Sequence, residues 1–474
     1  MLWLSIHLPR LALEVFGADP DHELLAIVDG QQLIQATAGL KRAGVRPGMR
    51  IPAAQALCPQ LILRERDTRA ERYRLKHLAA WGLQFTATVS MEPPETILLE
   101  IGGSLRYFGG LESLTARVRA GLQALGYHYR LGIAATPTAA WMLSVAGDER
   151  PVLPEHSLDR RLGPLPMTLL VSTAQHHEAL RGLGVETIAD CLALPRAGLG
   201  RRLGQTLLER LDRALGRRPD PRRPYLPPTA FRSHIELPAE VEQAHQLGFA
   251  LNRLLRELCG LLLGTGNGVQ RLYVTLDHLR RQPTLFELGT LEPSRDPDHL
   301  MSLLRERLER VELPAPVIGL GLEARRLQRL EQRPMALLEA DAGSGERHWN
   351  TLLERLSARL GEPRIRGLSS RAEHRPEQAW QYVPPGEGMA AGDCLERPLW
   401  LFPQPEHLGV QAGLPVWHGP LVLERGPECI ESGWWDGGDI SRDYYVAVNP
   451  AGARLWVFRE RREPRRWFLH GLFG

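Results

Sequence analysis

The 474-residue chain is 43% hydrophobic and 24% charged, an ordinary globular composition that excludes wholesale disorder and a collagen-like repeat. Its formal net charge is +3, so the chain is no polycation overall, and its length predicts about three domains, each able to bury a core. No run approaches the roughly 18 uninterrupted apolar residues of a membrane span, and the apolar start meets Pro9 too soon for a signal peptide. Cys58, Cys191, Cys259, Cys394 and Cys429 are scattered without a CxxC or a close pair. That is the pattern of a reduced, cytoplasmic protein without a structural zinc.

In chain order, four segments stand out in the first 165 residues: 3–14 (WLSIHLPRLALE), 35–59 (QATAGLKRAGVRPGMRIPAAQALCP), 90–110 (SMEPPETILLEIGGSLRYFGG) and 131–141 (LGIAATPTAAW). Residues 180–194 (LRGLGVETIADCLAL) then join two short amphipathic helices through Gly182, Gly184 and Val185, the sequence form of a helix-hairpin-helix. Glycines there let backbone N–H groups approach a phosphate at a helix N-terminus. Of the basic residues only Lys41 and Lys76 are lysine, and arginine is the better bidentate phosphate ligand. Arginine concentrates just past the hairpin: 196, 201, 202, 210, 213, 217, 218, 222 and 223 face only Glu209, Asp212 and Asp220. The expected role is a grip on the DNA backbone that reads no sequence, with Arg201 and Arg202 beside the hairpin glycines. The proline-rich run 216–228 (GRRPDPRRPYLPP) predicts a stiff, extended linker.

Beyond it the periodicities predict a strand at Phe231–Leu237, a helix at Ala239–Leu263, strands at 272–276 and 284–288, a helix at Asp298–Val311 and a strand at Val317–Ala324. The order β-α-β-β-α-β describes a split-βαβ domain with one sheet face bare. Periodicity lapses from 326 to 347, a helix is expected over His348–Leu360, and a tryptophan-, proline- and glycine-rich region follows. Its aromatics interleave with arginine, a pattern that serves either base stacking or the core of a small β domain.

The four early segments resemble, in order and spacing, the motifs of Y-family (translesion) DNA polymerases: opening strand and helix of the palm, fingers motif, second palm motif, and the strand-to-helix segment near the triphosphate. The hairpin falls where that family has its thumb, and the split-βαβ unit where it has its little finger. The resemblance implies an α+β multidomain fold, a polymerase-like right hand with a Trp-rich, β-containing C-terminal region. The expected parts are palm 1–18 and 76–165, fingers 19–75, thumb 166–218, linker 219–228, little finger 229–325, a clamp-peptide region and helix 326–362, and a partner-binding region 363–474.

Polymerases of this family hold two Mg²⁺ ions with carboxylates. The resemblance places the first two aspartates on Ser5 and His7 and the second-motif acids on Glu92 and Pro93. A Tyr/Arg pair for the triphosphate falls on Ala38 and Lys41, and a lysine on Trp141. His7 reads as a satisfied histidine, not a zinc ligand. Four losses of groups facing metal and triphosphate imply that nucleotide chemistry is gone, with no metal and no cofactor. The runner-up is an active polymerase using Glu92, Glu95 or Glu100 as rearranged ligands. A helix-hairpin-helix nuclease would need a carboxylate/lysine constellation, and none is found.

Segments 374–380 (HRPEQAW), 397–400 (RPLW), 426–436 (GPECIESGWWD), 442–445 (RDYY) and 467–473 (WFLHGLF) are similar to stretches of the catalytically defective members of the family in bacterial mutasomes. That implies a nucleoid-associated adaptor in SOS-induced translesion mutagenesis. It would bind DNA, the replicative sliding clamp, an ImuA-type RecA-like protein and an error-prone C-family polymerase. The clamp peptide of such proteins begins with Gln and ends apolar. Gln332, Met335, Leu337 and Leu338 match it in the aperiodic stretch, and Gln282–Phe286 is the alternative, within an expected strand.

Overall fold

The computed structural model describes residues 1–16, 24–153, 156–171, 174–182, 184–330, 342–385 and 396–474, which fall in two compact units, Met1–Asn350 and Thr351–Gly474. The fold is α+β and multidomain. The chain opens with β1 (Trp3–His7), α1 (Leu11–Glu14), β2 (Leu25–Asp29), β3 (Gln32–Ala36), α2 (Ala38–Arg42), α3 (Ile51–Leu57), β4 (Ile62–Glu65) and α4 (Thr68–Gly82). Strands β3-β2-β4 form a small sheet that packs with α2 and α3 around Ala26, Val28, Leu33, Leu40 and Ala54. It falls within residues 19–75, where the fingers-like part is expected.

Next come β5 (Val89–Glu92), β6 (Thr96–Glu100), α5 (Leu105–Phe108), α6 (Leu111–Ala124), β7 (Arg130–Ala134) and α7 (Pro137–Ala146). They complete a larger antiparallel sheet of order β5-β6-β1-β7. β1 is buried along its whole length because it lies between two partners. Gly132 of β7 is where α7 meets the sheet: a Cβ there would lie 2.2 Å from the Ala140 carbonyl oxygen and 2.5 Å from the Ser144 nitrogen.

Helices α8 (Leu158–Leu162), α9 (Ala174–Gly182), α10 (Ile188–Ala193), α11 (Arg196–Leu203) and α12 (Gln205–Ala214) follow. Their apolar faces do not close on a core of their own. Leu180, Ile188, Cys191, Leu207 and Leu211 share one cluster with Trp3, Leu98, Ala140 and Leu143. The expected division at 165/166 therefore crosses a continuous core, and the expected division at 75/76 falls inside α4. That helix lies on the larger sheet, with Gly82 against Val89, Ile97 and Leu99.

The next domain contains β8 (Phe231–Val241), α13 (Gly248–Thr265), β9 (Asn267–His278), β10 (Arg281–Ser294), α14 (Pro297–Leu308) and β11 (Val317–Ala324), in the expected β-α-β-β-α-β order. The sheet runs β10-β9-β11-β8 with every neighbour antiparallel. β11 lies between β8 and β9, so each strand–helix–strand unit is split by a strand of the other. The helix expected from Ala239 begins only at Gly248, because β8 stays paired with β11 as far as Val241. β12 (Leu327–Arg329) pairs with the start of β9 and carries the sheet past the expected limit at 325.

Helix α13 crosses α4 at two glycines. A Cβ on Gly260 would stand 2.5 Å from Trp81 Cδ1, and one on Gly264 would stand 2.4 Å from Leu83 Cβ. Beside the crossing, Glu257 is 1% exposed, with the Ser233 hydroxyl donating to it at 2.9 Å and His77, Arg253 and Arg74 at 3.6, 3.8 and 3.9 Å. Burial pushes His77 below the ordinary histidine pKa, against the pull of Glu257.

The C-terminal unit starts within α15 (Ala342–Leu360), which is followed by a two-stranded ribbon of β13 (Gly367–Ser370) and β14 (Trp380–Val383). Strands β15 (Trp400–Gln411), β16 (Leu414–Val416), β17 (Val422–Ser432), β18 (Ile440–Val448), β19 (Arg454–Glu460) and β20 (Trp467–Leu472) form a six-stranded sheet of order β16-β15-β20-β19-β18-β17. Both faces are apolar, one around Leu455, Val457 and Trp467 and the other around Tyr444, Trp456 and Phe458. The aromatics expected to serve either core or surface divide between the two: Trp456 and Trp467 are buried, whereas Trp434 and Trp435 are exposed. No helix among the described residues is long and apolar enough to cross a membrane.

Candidate functional site

The first palm positions lie on β1. Ser5 is opposite Leu98 on one side and Gly132 on the other, is fully buried, and shares a 2.8 Å hydrogen bond with the Ser144 hydroxyl of α7. His7 is also buried and is 3.1 Å from Thr96 Oγ1 through Nδ1 and 3.9 Å from Glu95 through Nε2. Burial above all, with Arg130 adding to it, lowers the His7 pKa to about 4. The ring is therefore neutral at neutral pH.

The three candidate glutamates have different partners, and Glu92 and Glu95 share the β5–β6 turn. Glu92, at the end of β5, pairs with Arg222, which also donates to Thr138 Oγ1 at 2.7 Å and lies 3.1 Å from Asp220. Asp220 accepts from the Thr138 backbone N–H at 3.0 Å and from its hydroxyl at 2.7 Å, at the N-terminus of α7. Glu95 sits near His7, its pKa raised by burial against the opposing pull of Arg66. Glu100 lies at the far end of β6, roughly 13 Å along the strand from Thr96 by ordinary strand rise, and accepts from the N–H groups of Leu2 and Gly102. Pro93 follows Glu92 in the β5–β6 turn.

Hard divalent cations are held by anionic oxygens. A buried Ser5 hydroxyl, a neutral His7 and a Glu92 whose charge is met by Arg222 do not fit a pair of magnesium ions. Among the described residues, no three His, Cys, Asp or Glu side chains group together as metal ligands.

Of the triphosphate positions, Ala38 is half-buried and Lys41 exposed, both on α2. Trp141 of α7 packs on the shared core, with the Arg210 guanidinium 5.3 Å above its ring. Trp141, Arg210, Arg213, Thr206, Arg222 and Glu92 border a recess of about 250 Å³ between α7, α12 and the linker. The linker is thus not a free tether: besides Asp220 and Arg222, the Tyr225 N–H donates to the Val89 carbonyl of edge strand β5 at 2.7 Å. Sequence reasoning counted Arg222 and Asp220 in the basic stretch but did not place them beside Glu92 and Thr138, because nothing local marks a contact across 130 positions.

The glycine turn joins α9 and α10 as expected. Gly184 has φ +67 and Val185 is buried, and a Cβ at Gly182 or Gly184 would meet nothing within 4 Å, so this backbone is openly exposed. The backbone donors are nevertheless occupied. Gly184 N–H bonds Arg181 O, Val185 N–H bonds Leu180 O, and the Glu186 and Thr187 N–H groups both bond the Asp190 carboxylate. These bonds lower the Asp190 pKa, Thr187 contributing most. These N–H groups are therefore not free for the expected approach of a phosphate.

The basic stretch is also partly spent internally. Arg196 pairs with Asp212 at 2.6 Å, Arg217 with Asp159 at 3.2 Å and Arg218 with Glu209 at 3.0 Å. Arg213 and Arg223 are exposed and have no carboxylate partner among the described residues. Arg201 and Arg202 lie on α11, but their side chains are outside the described set.

Gln332, Met335, Leu337 and Leu338 lie outside the described residues. Gln282 belongs to β10, where Phe286 is buried in the sheet domain and Leu285 alone of the apolar pair is exposed. A peptide there could not offer both anchors without unpairing β10 from β9.

Residues 18–145 match the model of the impB/mucB/samB family. Over 468 residues, 91% of this chain and 100% of the relative, the sequence is 29% identical to Protein ImuB of Caulobacter vibrioides, in two strains. Among solved structures, a Y-family DNA polymerase chimera of Dbh and Dpo4 aligns at 14% identity with a TM-score of 0.41, and DinB from Sulfolobus solfataricus at 14% identity with a TM-score of 0.39. Each alignment covers 70% of this chain and 100% of the other.

Proposed function

We propose that this ImuB-like, polymerase-like chain is a non-catalytic adaptor for DNA-damage-induced mutagenesis. It grips primer–template DNA, binds the sliding clamp, and recruits an ImuA-type RecA-like protein and an error-prone C-family polymerase that performs synthesis. The reading is carried by the cluster of Glu92, Arg222, Asp220 and Thr138, in which an arginine of the chain itself takes the carboxylate that a metal would need. Ser5 supports it, closed beneath α7 with its hydroxyl already paired. Among the described arginines of the 196–223 stretch, Arg213 and Arg223 are the ones assigned to phosphates.

The expected result is no primer extension with Mg²⁺ or Mn²⁺, together with primer–template binding that weakens steeply with salt as counterions are released. Replacing Arg213 and Arg223 by alanine should weaken binding and flatten its log–log salt slope by roughly 1–2. Nucleotide incorporation that disappears when Glu92, Glu95 or Glu100 is changed would instead establish an active polymerase.

Clamp capture is assigned to the Gln332 segment. Changing Gln332, Met335 and Leu337 to alanine should abolish clamp pull-down. Capture that survives this but fails on altering Gln282 and Phe286, in a protein with an unchanged melt, would move the motif to β10.

A further inference from the structure

The β13/β14 ribbon presents a face that the C-terminal unit does not cover. Its register sets Trp380 opposite Ser370 and Tyr382 opposite Leu368, so these four side chains share one face. Leu368, Trp380 and Tyr382 are 66%, 47% and 58% exposed. On the other face Ser369 is buried while Gln381 opposite it is exposed, so that face is covered on its β13 side. The two rings meet edge to face with centroids 5.2 Å apart, and the Arg366 guanidinium lies 5.2 Å from the Tyr382 centroid.

The ribbon is held at its closed end. Its connecting loop is tied to the six-stranded sheet by Arg375, which is buried and donates to Asp436 at 2.6 Å, by Glu373, which accepts from the Ser432 hydroxyl at 3.1 Å, and by Glu377 with Arg442 at 3.2 Å. The outer face is thus presented in one orientation, which reduces the ordering cost of binding. The same ties consume the acids of the loop. Arg364, three residues before β13, and Arg371, directly after it, remain exposed with no carboxylate partner among the described residues.

Exposed aromatic rings bordered by unneutralised arginines suit a polyanion with planar groups. The face spans four side chains, against the roughly 20–30 residues a side of a stable protein interface, and is of the size that takes one or two bases. We propose that the outer face of this ribbon docks single-stranded nucleic acid, bases stacking on Trp380 and Tyr382 and phosphates meeting Arg364, Arg366 and Arg371. It is independent of the duplex grip assigned to the first unit.

The test is fluorescence anisotropy of the full chain with a labelled oligothymidylate and, separately, with a labelled duplex. Trp380→Ala with Tyr382→Ala is expected to raise the single-strand Kd about tenfold or more, leaving the duplex Kd within about twofold. Trp380→Phe with Tyr382→Phe should retain most of the affinity, because the rings remain. Arg364→Ala with Arg371→Ala leaves the ribbon's packing intact and should weaken single-strand binding and its salt dependence, deciding the matter if the aromatic variant unfolds. Unchanged single-strand affinity in the arginine variant overturns the proposal. So does equal loss on single strand and duplex, or loss of a protein partner with single-strand binding intact. Failure of duplex binding in wild type, with the single strand still held through the ribbon, would count against the first unit's grip alone.

Discussion

Gly264→Val should release the split-βαβ domain from the larger sheet's helix. The added Cβ would fall 2.4 Å from Leu83 Cβ and 2.5 Å from the Leu83 carbonyl carbon, so no side-chain rotation relieves it and α13 must move away from α4. Overpacking of this kind costs about 1–3 kcal/mol where neighbours can shift, and backbone is the least able to do so. The displacement would also open the buried contacts of Glu257 with His77 and Arg74, which come from the opposite helix. Helix α13 also packs on β8, β9 and β11, with Leu254, Leu258, Val274 and Leu320 fully buried. The expected outcome is therefore a lower melting temperature, with separation into two transitions and faster protease cleavage near residues 219–228. A single transition at the wild-type temperature would show that the crossing does not hold the domain.

Ser5→Asp, which would put an aspartate where the sequence resemblance expects a metal ligand, is expected to destabilise the chain instead of creating a metal site. The Ser5 side chain is fully buried against α7, its one hydrogen bond made to Ser144. No cation is paired with it, and an uncompensated buried charge costs about 3–5 kcal/mol. The new carboxyl would stay protonated at neutral pH rather than ionise there. A fall of the melting temperature without any rise on adding Mn²⁺ is the expected observation. A variant that melts like wild type and is stabilised by Mn²⁺ would mean the cleft is open to ions, and the non-catalytic reading would fail with it.

Much of this architecture was legible in the sequence, for identifiable reasons. Strand β11 begins and ends where alternation predicts, at Val317 and Ala324, because a strand with both neighbours in place is read directly from its period of two. The glycine turn after α9 was legible because Gly184 requires a positive φ.

Contacts between distant segments were not legible. The start of α13 at Gly248 instead of Ala239 was decided by pairing of β8 with β11, some 80 residues away, which outweighs local helix preference. The same holds for charge. A count of arginines from 196 to 223 cannot tell that Arg196, Arg217, Arg218 and Arg222 are neutralised by Asp212, Asp159, Glu209 and Glu92, because each pairing depends on which helix ends the fold brings together. By itself the chain determined its periodicities and its turns. Only the tertiary structure decided that an arginine of the linker pairs with Glu92, since electrostatic pairing is a matter of distance in space and not along the chain.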